Sequence, residues 1–342
     1  MNEQRRTIAV LIINYRTAAA TLACLQAVLA QLPADGCVFL LDNGSGAADA
    51  DALATAAAAH TNVYFEAGAA NLGFAAGMNR LIERALPDPS VGELLLLNSD
   101  TLPAPEFIAS MRAKLDPAQR IDMVAGTLLD SRDGGIDSLG ITLYRSTLAS
   151  NRKRDDEILL GPCGGCALLT RRLFEDLYTQ HGEYFDESFF CYAEDTDLVL
   201  RSRWLGYRPA FAASASAQHA VSLSSGGPDN DFVLYHGIRN SLWWLVKDAP
   251  TGWLLRSLPW FVALHIGICL RHLRRGRMRV LWRLYRDAVR GVPAMLRKRR
   301  RIRASRRVSA HEFPRWVEPH FYERDYLRHA WRELFQRARS KA

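Results

Sequence analysis

Several polar groups in this chain have the residue types and settings for chemistry on a charged ligand. Asp100 follows the apolar run Glu93 to Leu97 and is flanked by Asn98 and Thr101. A carboxylate at the tip of a buried strand suits a hard divalent cation that keeps waters and takes phosphate oxygens. The same aspartate, ahead of Thr-Leu-Pro, would equally cap a helix near Glu106. Phe185 to Asp197 holds five carboxylates among aromatic residues. Apolar walls raise a carboxylate's proton affinity, which makes a workable general base. At an exposed helix N-terminus those acids would only complement the dipole. His219 offers an imidazole to a metal shell, although a lone histidine is as readily structural. Asn71 to Asn79 is rich in glycine and opens a helix whose N–H groups suit a diphosphate. It is neither a P-loop nor a dinucleotide fingerprint: no Gly-Lys-Ser/Thr follows, and the first strand ends in Asn-Tyr.

The elements that must carry these groups alternate regularly. Thr7 to Ile13 is a short, β-branched apolar run of the buried parallel kind. Ala18 to Leu32 has helical spacing and stops at Pro33. Val38 to Leu41 closes on the turn-forming cluster Asp42-Asn43-Gly44-Ser45. A helix over Ala47 to His60, a strand at Val63 to Phe65, a helix over Phe74 to Leu86 and a strand over Glu93 to Leu97 follow. This order predicts a parallel sheet with right-handed crossovers. Asn14, Asp42 and Asp100 then fall at successive carboxyl ends, the edge where open α/β sheets bind ligands. Further strands are expected near Met123 to Leu129, Ala167 to Thr170 and Arg208 to Ala212, and a helix over Glu194 to Leu205. No linker interrupts residues 1 to 240, which read as one compact unit.

The chain has 342 residues, an apolar fraction of 49% and a net charge of +8. Arg271 to Arg307 alone contains about sixteen Arg or Lys against one acid, Asp287, so the remainder is acidic overall. Six irregularly spaced cysteines do not make a disulfide framework, and Cys163-Gly-Gly-Cys166 reads as buried cysteines in a tight loop. Met1 to Thr7 has no long apolar region with a cleavage site, so no signal peptide is expected and the catalytic part is placed in a reducing cytoplasm. Trp253 to Leu270 is apolar for about eighteen positions, the lower edge of a spanning helix, but Arg256, Pro259 and His265 interrupt it. In the basic segment Val280, Leu281, Leu284, Tyr285, Ala288 and Val289 recur at helical spacing. Trp, Leu and Arg in this arrangement predict a helix lying among anionic headgroups, peripheral to the membrane and not spanning it. Nucleic acid is not expected as a partner, since no reading module accompanies the basic stretch. Phe313 to Ala342 reads as a helical cap.

Taken in order, the segments resemble glycosyltransferase family 2, and within it the bacterial rhamnosyltransferase-like branch. They are Ile13-Asn14-Tyr15, Asp42 to Ser45, Asn71 to Asn79, Leu97 to Thr101, Gly165 to Arg172, Phe185-Asp186-Glu187, Tyr192 to Leu198, His219 and Arg239-Asn240. The resemblance implies an α/β GT-A fold over residues 1–245, a mostly parallel sheet flanked by helices. A helical, Arg-rich, membrane-associating extension would occupy 246–342. It implies a nucleotide-sugar donor and inversion at the anomeric carbon. Asp195 matches the family's general base, with Glu194 supporting it. Asp42 would hydrogen-bond the pyrimidine, and Asn14, Tyr15 and Asn43 would line the nucleoside pocket. Asn71, Gly73, Gly77 and Asn79 would lie near the donor, and Gly164 and Gly165 would border a sugar. Asp100 matches the metal-binding aspartate of an Asp-X-Asp signature whose first position is Asn98 here, and with His219 it would hold Mg²⁺ or Mn²⁺.

The implied activity is transfer of a sugar, dTDP-L-rhamnose by the branch and UDP-galactofuranose or a UDP-hexose behind it. The acceptor is a hydroxyl of a cell-surface glycan or lipid-linked saccharide. The expected location is the cytoplasmic face of the bacterial inner membrane. Two alternatives stand beside it: transfer to polyprenyl phosphate, and a noncatalytic nucleotide-sugar-binding protein that has kept the fold.

Overall fold

The computed structural model describes residues 7–220 and 230–324. β1 (Thr7–Asn14) lies between β2 (Cys37–Asp42) and β4 (Val91–Asn98), parallel to both, and β3 (Val63–Ala67) continues the sheet beyond β2. β1 and β2 are buried on both faces, which is why they are written as unbroken apolar runs and not as alternating ones. The crossovers are α1 (Ala18–Leu29), α2 (Ala47–Ala58) and α3 (Gly73–Ala85). The order β3-β2-β1-β4 reverses at β1, so a crevice opens beyond the carboxyl ends of β1 and β4.

Past β4 the sheet becomes mixed, as a mostly parallel sheet allows, although the antiparallel strands themselves were not placed in advance. β5 (Thr101–Pro103) and α4 (Phe107–Arg112) lead to β6 (Ile121–Asp130), whose hairpin partner is β7 (Ile136–Ser138). β8 (Ile141–Tyr144) and β9 (Ala149–Asn151) follow. β10 (Cys166–Thr170) is inserted antiparallel between β4 and β6. After α5 (Arg171–His181) and α6 (Glu194–Trp204), β11 (Arg208–His219) runs parallel to β6 and antiparallel to β5. Among the described residues this sheet has nine strands. The position of β10 matters most, because it brings the loop before Cys166 against the end of β4.

Five carboxylates fall between Phe185 and Asp197, but the fold divides them. Lys247 of α7 (Asp231–Asp248) is fully buried and bonds Glu183, Asp186 and Asp197 at 2.9, 2.8 and 2.7 Å. Arg201 donates to Asp197 at 2.8 Å, and Lys298 reaches Glu183 and Asp186 at 2.6 Å. Asp186 and Asp197 are therefore internal ties, held below the usual carboxylate range against burial by these cations. Only Glu194 and Asp195 of the five face the crevice.

α8 (Thr251–Arg274) is, among the described residues, the one helix long and apolar enough to cross a membrane by length and composition, and it contains Pro259. Leu255, Leu258, Ile266 and Leu270 on it are exposed. α9 (Met278–Ser305) behaves differently. Its stripe Leu281, Leu284 and Ala288 is buried, largely on α7, so this apolar face belongs to the protein interior and not to a bilayer. Arg299 is also buried and donates to the Val246 carbonyl at 2.7 Å. Of its large apolar residues α9 leaves Met278, Trp282, Val289 and Leu296 exposed.

The chain then returns to α6 and β8. Phe313 stacks on Trp204 with centroids 5.6 Å apart, and Trp316 packs on the same indole at 4.7 Å. β12 (Val317–Glu318) pairs with β8 in a small three-stranded sheet with β9. The end of the extension is thus part of the main core. The expected helical cap begins as a 3₁₀ turn over Ala310–Trp316, and its remainder beyond Arg324 lies outside the described residues.

Candidate active site

The crevice at the carboxyl ends of β1 and β4 holds a cleft of about 660 Å³. Tyr15, Asn43, Asn71, Gly73, Asn98, Asp100, Gly164, Gly165, Glu194, Asp195 and His219 all line it. Residues spread over some two hundred positions of sequence are brought to one concavity.

One wall is built on β4, β5 and β11. β11 pairs with β5 so that His219 stands beside Thr101, and this places its imidazole on Asp100: Nε2 lies 3.1 Å from Oδ1. Nδ1 lies 2.8 Å from Asp137 Oδ2, and Asn98 Nδ2 lies 3.3 Å from Nε2. Burial alone would lower the histidine's proton affinity, but hydrogen bonds to Asp100 and Asp137 outweigh it and push the pKa up to about 9. Asp100 does not cap the helix near Glu106; Glu106 itself is at that N-cap.

Among the described residues no three His, Cys, Asp or Glu side chains surround one point in the way a closed metal cage requires. Asp100, in the turn before β5, and His219, at the end of β11, nevertheless supply two donors side by side. That number suits Mg²⁺ or Mn²⁺, whose shell is commonly completed by substrate phosphates and water. Asp137 on Nδ1 stands where a carboxylate would orient such a histidine. The residues present fit an open site of this kind.

The opposite wall carries the acids. Ala193, in the left-handed region at φ 63°, starts α6 and aims Glu194 and Asp195 into the cleft. Asp195 Oδ2 accepts from Gly164 N–H at 3.0 Å, and Oδ1 accepts from Thr196 N–H at 2.7 Å. Burial raises its pKa above the ordinary aspartate value, with these two N–H groups opposing. Glu194 is shifted well upward by burial and then by the charge of Asp195. The acids are not an exposed helix cap. They form a carboxyl pair with raised proton affinity, one member of which is held in fixed aim.

The remaining expected residues stand behind these walls. Asn14 is fully buried, donating to Asp42 Oδ1 at 2.7 Å and accepting from Thr21 at 2.7 Å. Asp42 accepts from Ser45 Oγ at 2.5 Å as well. Neither side chain lines the cleft; together they shape the loop from which Tyr15 and Arg16 do. Gly77 faces Ile13 and Leu41, and Asn79 brackets Phe185 by accepting from its N–H at 2.9 Å and donating to its carbonyl at 3.0 Å. Neither Gly77 nor Asn79, expected near a donor, is among the residues that line the cleft; their contacts here are with the scaffold. The start of α3 is also less open than its glycines suggested. The N–H groups of Leu72, Gly73 and Ala75 are taken by Asn43 Oδ1, Asn71 Oδ1 and the Phe190 carbonyl. Gly164 and Gly165 do border the cleft, and a side chain on Gly165 would stand 2.6 Å from Asn98 Nδ2.

Sequence reasoning did not find Asp137, Arg16 or the aromatic pair Phe190 and Phe232, all of which line the cleft. Phe190 sits inside the acidic stretch already singled out. Asp137 carries no motif and comes to His219 only through the β6–β7 hairpin. The buried, unbridged Cys163 and Cys166 are as expected.

Residues 9–178 match the family model described as "Glycosyl transferase family 2". No curated protein matches the chain. Solved structures share its fold. GalNAc-T7 with UDP, GalNAc and Mn²⁺ is 14% identical at a TM-score of 0.55, over 72% of this chain and 48% of that one. The mannosyltransferase PcManGT from Pyrobaculum calidifontis, in complex with GDP-Man and Mn²⁺, is 16% identical at 0.53, over 87% and 85%. TarS from S. aureus is 15% identical at 0.51, over 75% and 43%. The chain thus spans about half the length of GalNAc-T7 and less of TarS. These similarities carry the fold, that of GT-A glycosyltransferases, and the sequence match to family 2 spans residues 9–178.

The close fit of Gly73 gives a direct test of this geometry. Its φ is +79°, and an added Cβ would stand 2.4 Å from the Phe190 carbonyl oxygen. Gly73→Ala is expected to lose at least about 1–2 kcal/mol from the backbone alone, read as a lower urea midpoint. An unchanged midpoint would show that α3 and the Phe190 loop do not meet in this way.

Proposed function

Because residues 9–178 match the glycosyl transferase family 2 model, we propose that this protein is an inverting glycosyltransferase using a nucleoside-diphosphate sugar and a divalent cation. The observation that carries the proposal is the opposition of two chemistries across one cleft. Asp195 is aimed by Gly164 on one wall, and Asp100 with His219 stands on the other. Two of the structural neighbours are complexes with UDP or GDP-Man and Mn²⁺, which supports that class of donor and of ion.

In this reading an acceptor hydroxyl attacks the anomeric carbon opposite the departing nucleoside diphosphate. The C–O bond to the acceptor forms as the bond to the diphosphate oxygen breaks, and Asp195 takes the hydroxyl proton. A positioned base of this kind contributes roughly 10²–10⁴-fold. Glu194 beside it is the member that burial and the charge of Asp195 push well up, so the pair holds its proton there and leaves Asp195 as the ionised partner. Asp100 and His219 would hold the cation, which when bound neutralises charge on the leaving diphosphate. The cation would take the place of the proton that His219 Nε2 otherwise shares with Asp100, since a ligating imidazole is neutral. Tyr15 and Arg16 at the end of β1 would receive the nucleoside side of the donor. By the motif branch that donor is dTDP-L-rhamnose, and the acceptor is a glycan or lipid-linked saccharide.

The membrane completes the proposal. Exposed apolar residues of α8 continue into a groove of about 640 Å³ against α9, lined by Cys269, Leu273, Met278, Trp282 and Val289 with Arg286 and Arg290 beside it. An apolar face bordered by arginines complements an anionic lipid surface. Since α9 is bound to the catalytic domain, α8 is read as lying along the cytoplasmic face of the membrane.

Asp195→Asn should leave UDP or dTDP binding in place and lower nucleoside diphosphate release from dTDP-L-rhamnose or a UDP-hexose by about 10²-fold or more. Near-normal turnover would remove the base assignment. The active base is the ionised form, and burial has raised its pKa. The acid side of the wild-type rate profile should therefore fall off above the ordinary aspartate range; a rate still flat there would contradict this. The full chain should sediment with vesicles containing phosphatidylglycerol, and less so at high salt. If it ignores such vesicles, the membrane reading fails.

A further inference from the structure

The segment from Phe189 to Ala193, just ahead of the two acids, follows a path that amino acids with side chains rarely take. Phe190 has φ 66° and ψ −64°, and Cys191 N–H donates to the Phe189 carbonyl at 2.8 Å. This is the strained form of the γ-turn, centred on a bulky aromatic. Tyr192 and Ala193 follow at φ 70° and 63°. Three non-glycine residues in four thus have positive φ immediately before Glu194 and Asp195. Such strain persists only where surrounding structure over-determines it, and it concentrates at functional sites.

The over-determining contacts come from one dipeptide of α7. Asn240 is fully buried, and its Nδ2 lies 2.9, 2.8 and 2.7 Å from the carbonyl oxygens of Phe189, Cys191 and Tyr192. The side-chain amide is turned this way by its neighbour. Arg239 Nε and Nη2 donate to Asn240 Oδ1 at 2.9 and 2.7 Å, and only the oxygen can accept them. Arg239 Nη2 also donates to the Phe189 carbonyl at 3.1 Å, while its guanidinium lies over Trp243. On the far side, the Phe190 carbonyl accepts from Ala75 N–H at 3.2 Å, against Gly73. The strained turn therefore links the donor-side start of α3 to the acids.

We propose that Arg239 and Asn240 are positioning residues that hold the Phe189–Ala193 turn in its strained path, so that Asp195 meets its acceptor while α3 keeps its place. The inference rests on the glycosyltransferase reading above. Neither side chain lines the cleft, so they act on the aim of Asp195 and not on donor affinity.

The test uses the full chain and reads kcat for nucleoside diphosphate release beside UDP affinity measured with Mn²⁺. Asn240→Ala is expected to lower kcat by about 10- to 100-fold, the scale of a misplaced catalytic group, with UDP affinity unchanged. Adding Ala193→Gly, which removes the cost of positive φ at that residue, should restore part of the loss. A fold-intact Asn240→Ala with normal kcat, or with UDP affinity falling as far as kcat, would overturn the proposal, as would a failure of Ala193→Gly to rescue it. If Asn240→Ala does not fold, Arg239→Lys decides by the same readings. It keeps the charge but loses the two-pronged grip on Asn240. Asp195→Asn run in parallel separates the two claims. Full turnover there defeats the base assignment, whereas an inactive Asp195→Asn beside a normal Asn240→Ala defeats only the positioning role.

Discussion

Gly164 and Gly165 join the two halves of the cleft, and the rest of the arrangement follows from how they are held. The carbonyl of Gly165 accepts from Asn98 N–H at 3.0 Å, extending the pairing of β10 with β4 by one step. Next to it, Gly164 N–H donates to Asp195. This dipeptide thus ties the strand that leads to Asp100 to the carboxylate on α6. A side chain at Gly165 would strike Asn98, and one at Gly164 would press on the Phe74 ring at 3.1 Å. The antiparallel insertion of β10 is what brings this dipeptide to β4, so the break from a parallel sheet is also what assembles the site.

The second constraint is electrostatic. Burying Glu194 and Asp195 together is unfavourable when both are charged, and the fold answers with N–H donors for Asp195 while leaving Glu194 Oε2 without a hydrogen-bond partner. Behind them Lys247, Arg201 and Lys298 neutralise Asp186 and Asp197, so those carboxylates do not add to the repulsion. The molecule accepts local electrostatic and backbone strain around the acids and compensates one layer away. Breaking one partner of such a buried charge cluster would cost more than forming the cluster gains.

The first four strands were legible because a strand buried on both faces must be a short apolar run, and β1, β2 and β4 begin and end within about two residues of where those runs do. Asp100, His219 and Asp195 were legible from the type and order of their motifs. Asp137 was not, since its approach to His219 depends on a three-residue strand with no periodicity to read. Nor was the division of the acidic stretch, because its partners Lys247 and Lys298 come from the far end of the chain. The basic segment misled in an instructive way. Amphipathic spacing in α9 records burial against something, and the residues alone do not say whether that is lipid or α7; here Leu281, Leu284 and Ala288 meet protein.

The central claim is that this cleft takes a nucleoside diphosphate together with a divalent cation held by Asp100 and His219. Calorimetric titration of the full chain with UDP or dTDP, with and without Mn²⁺, tests it most directly. The account predicts tighter binding with Mn²⁺ in the native chain, and loss of that gain in a folded Asp100→Ala variant. A gain of the same size in both proteins, or none in either, would contradict it.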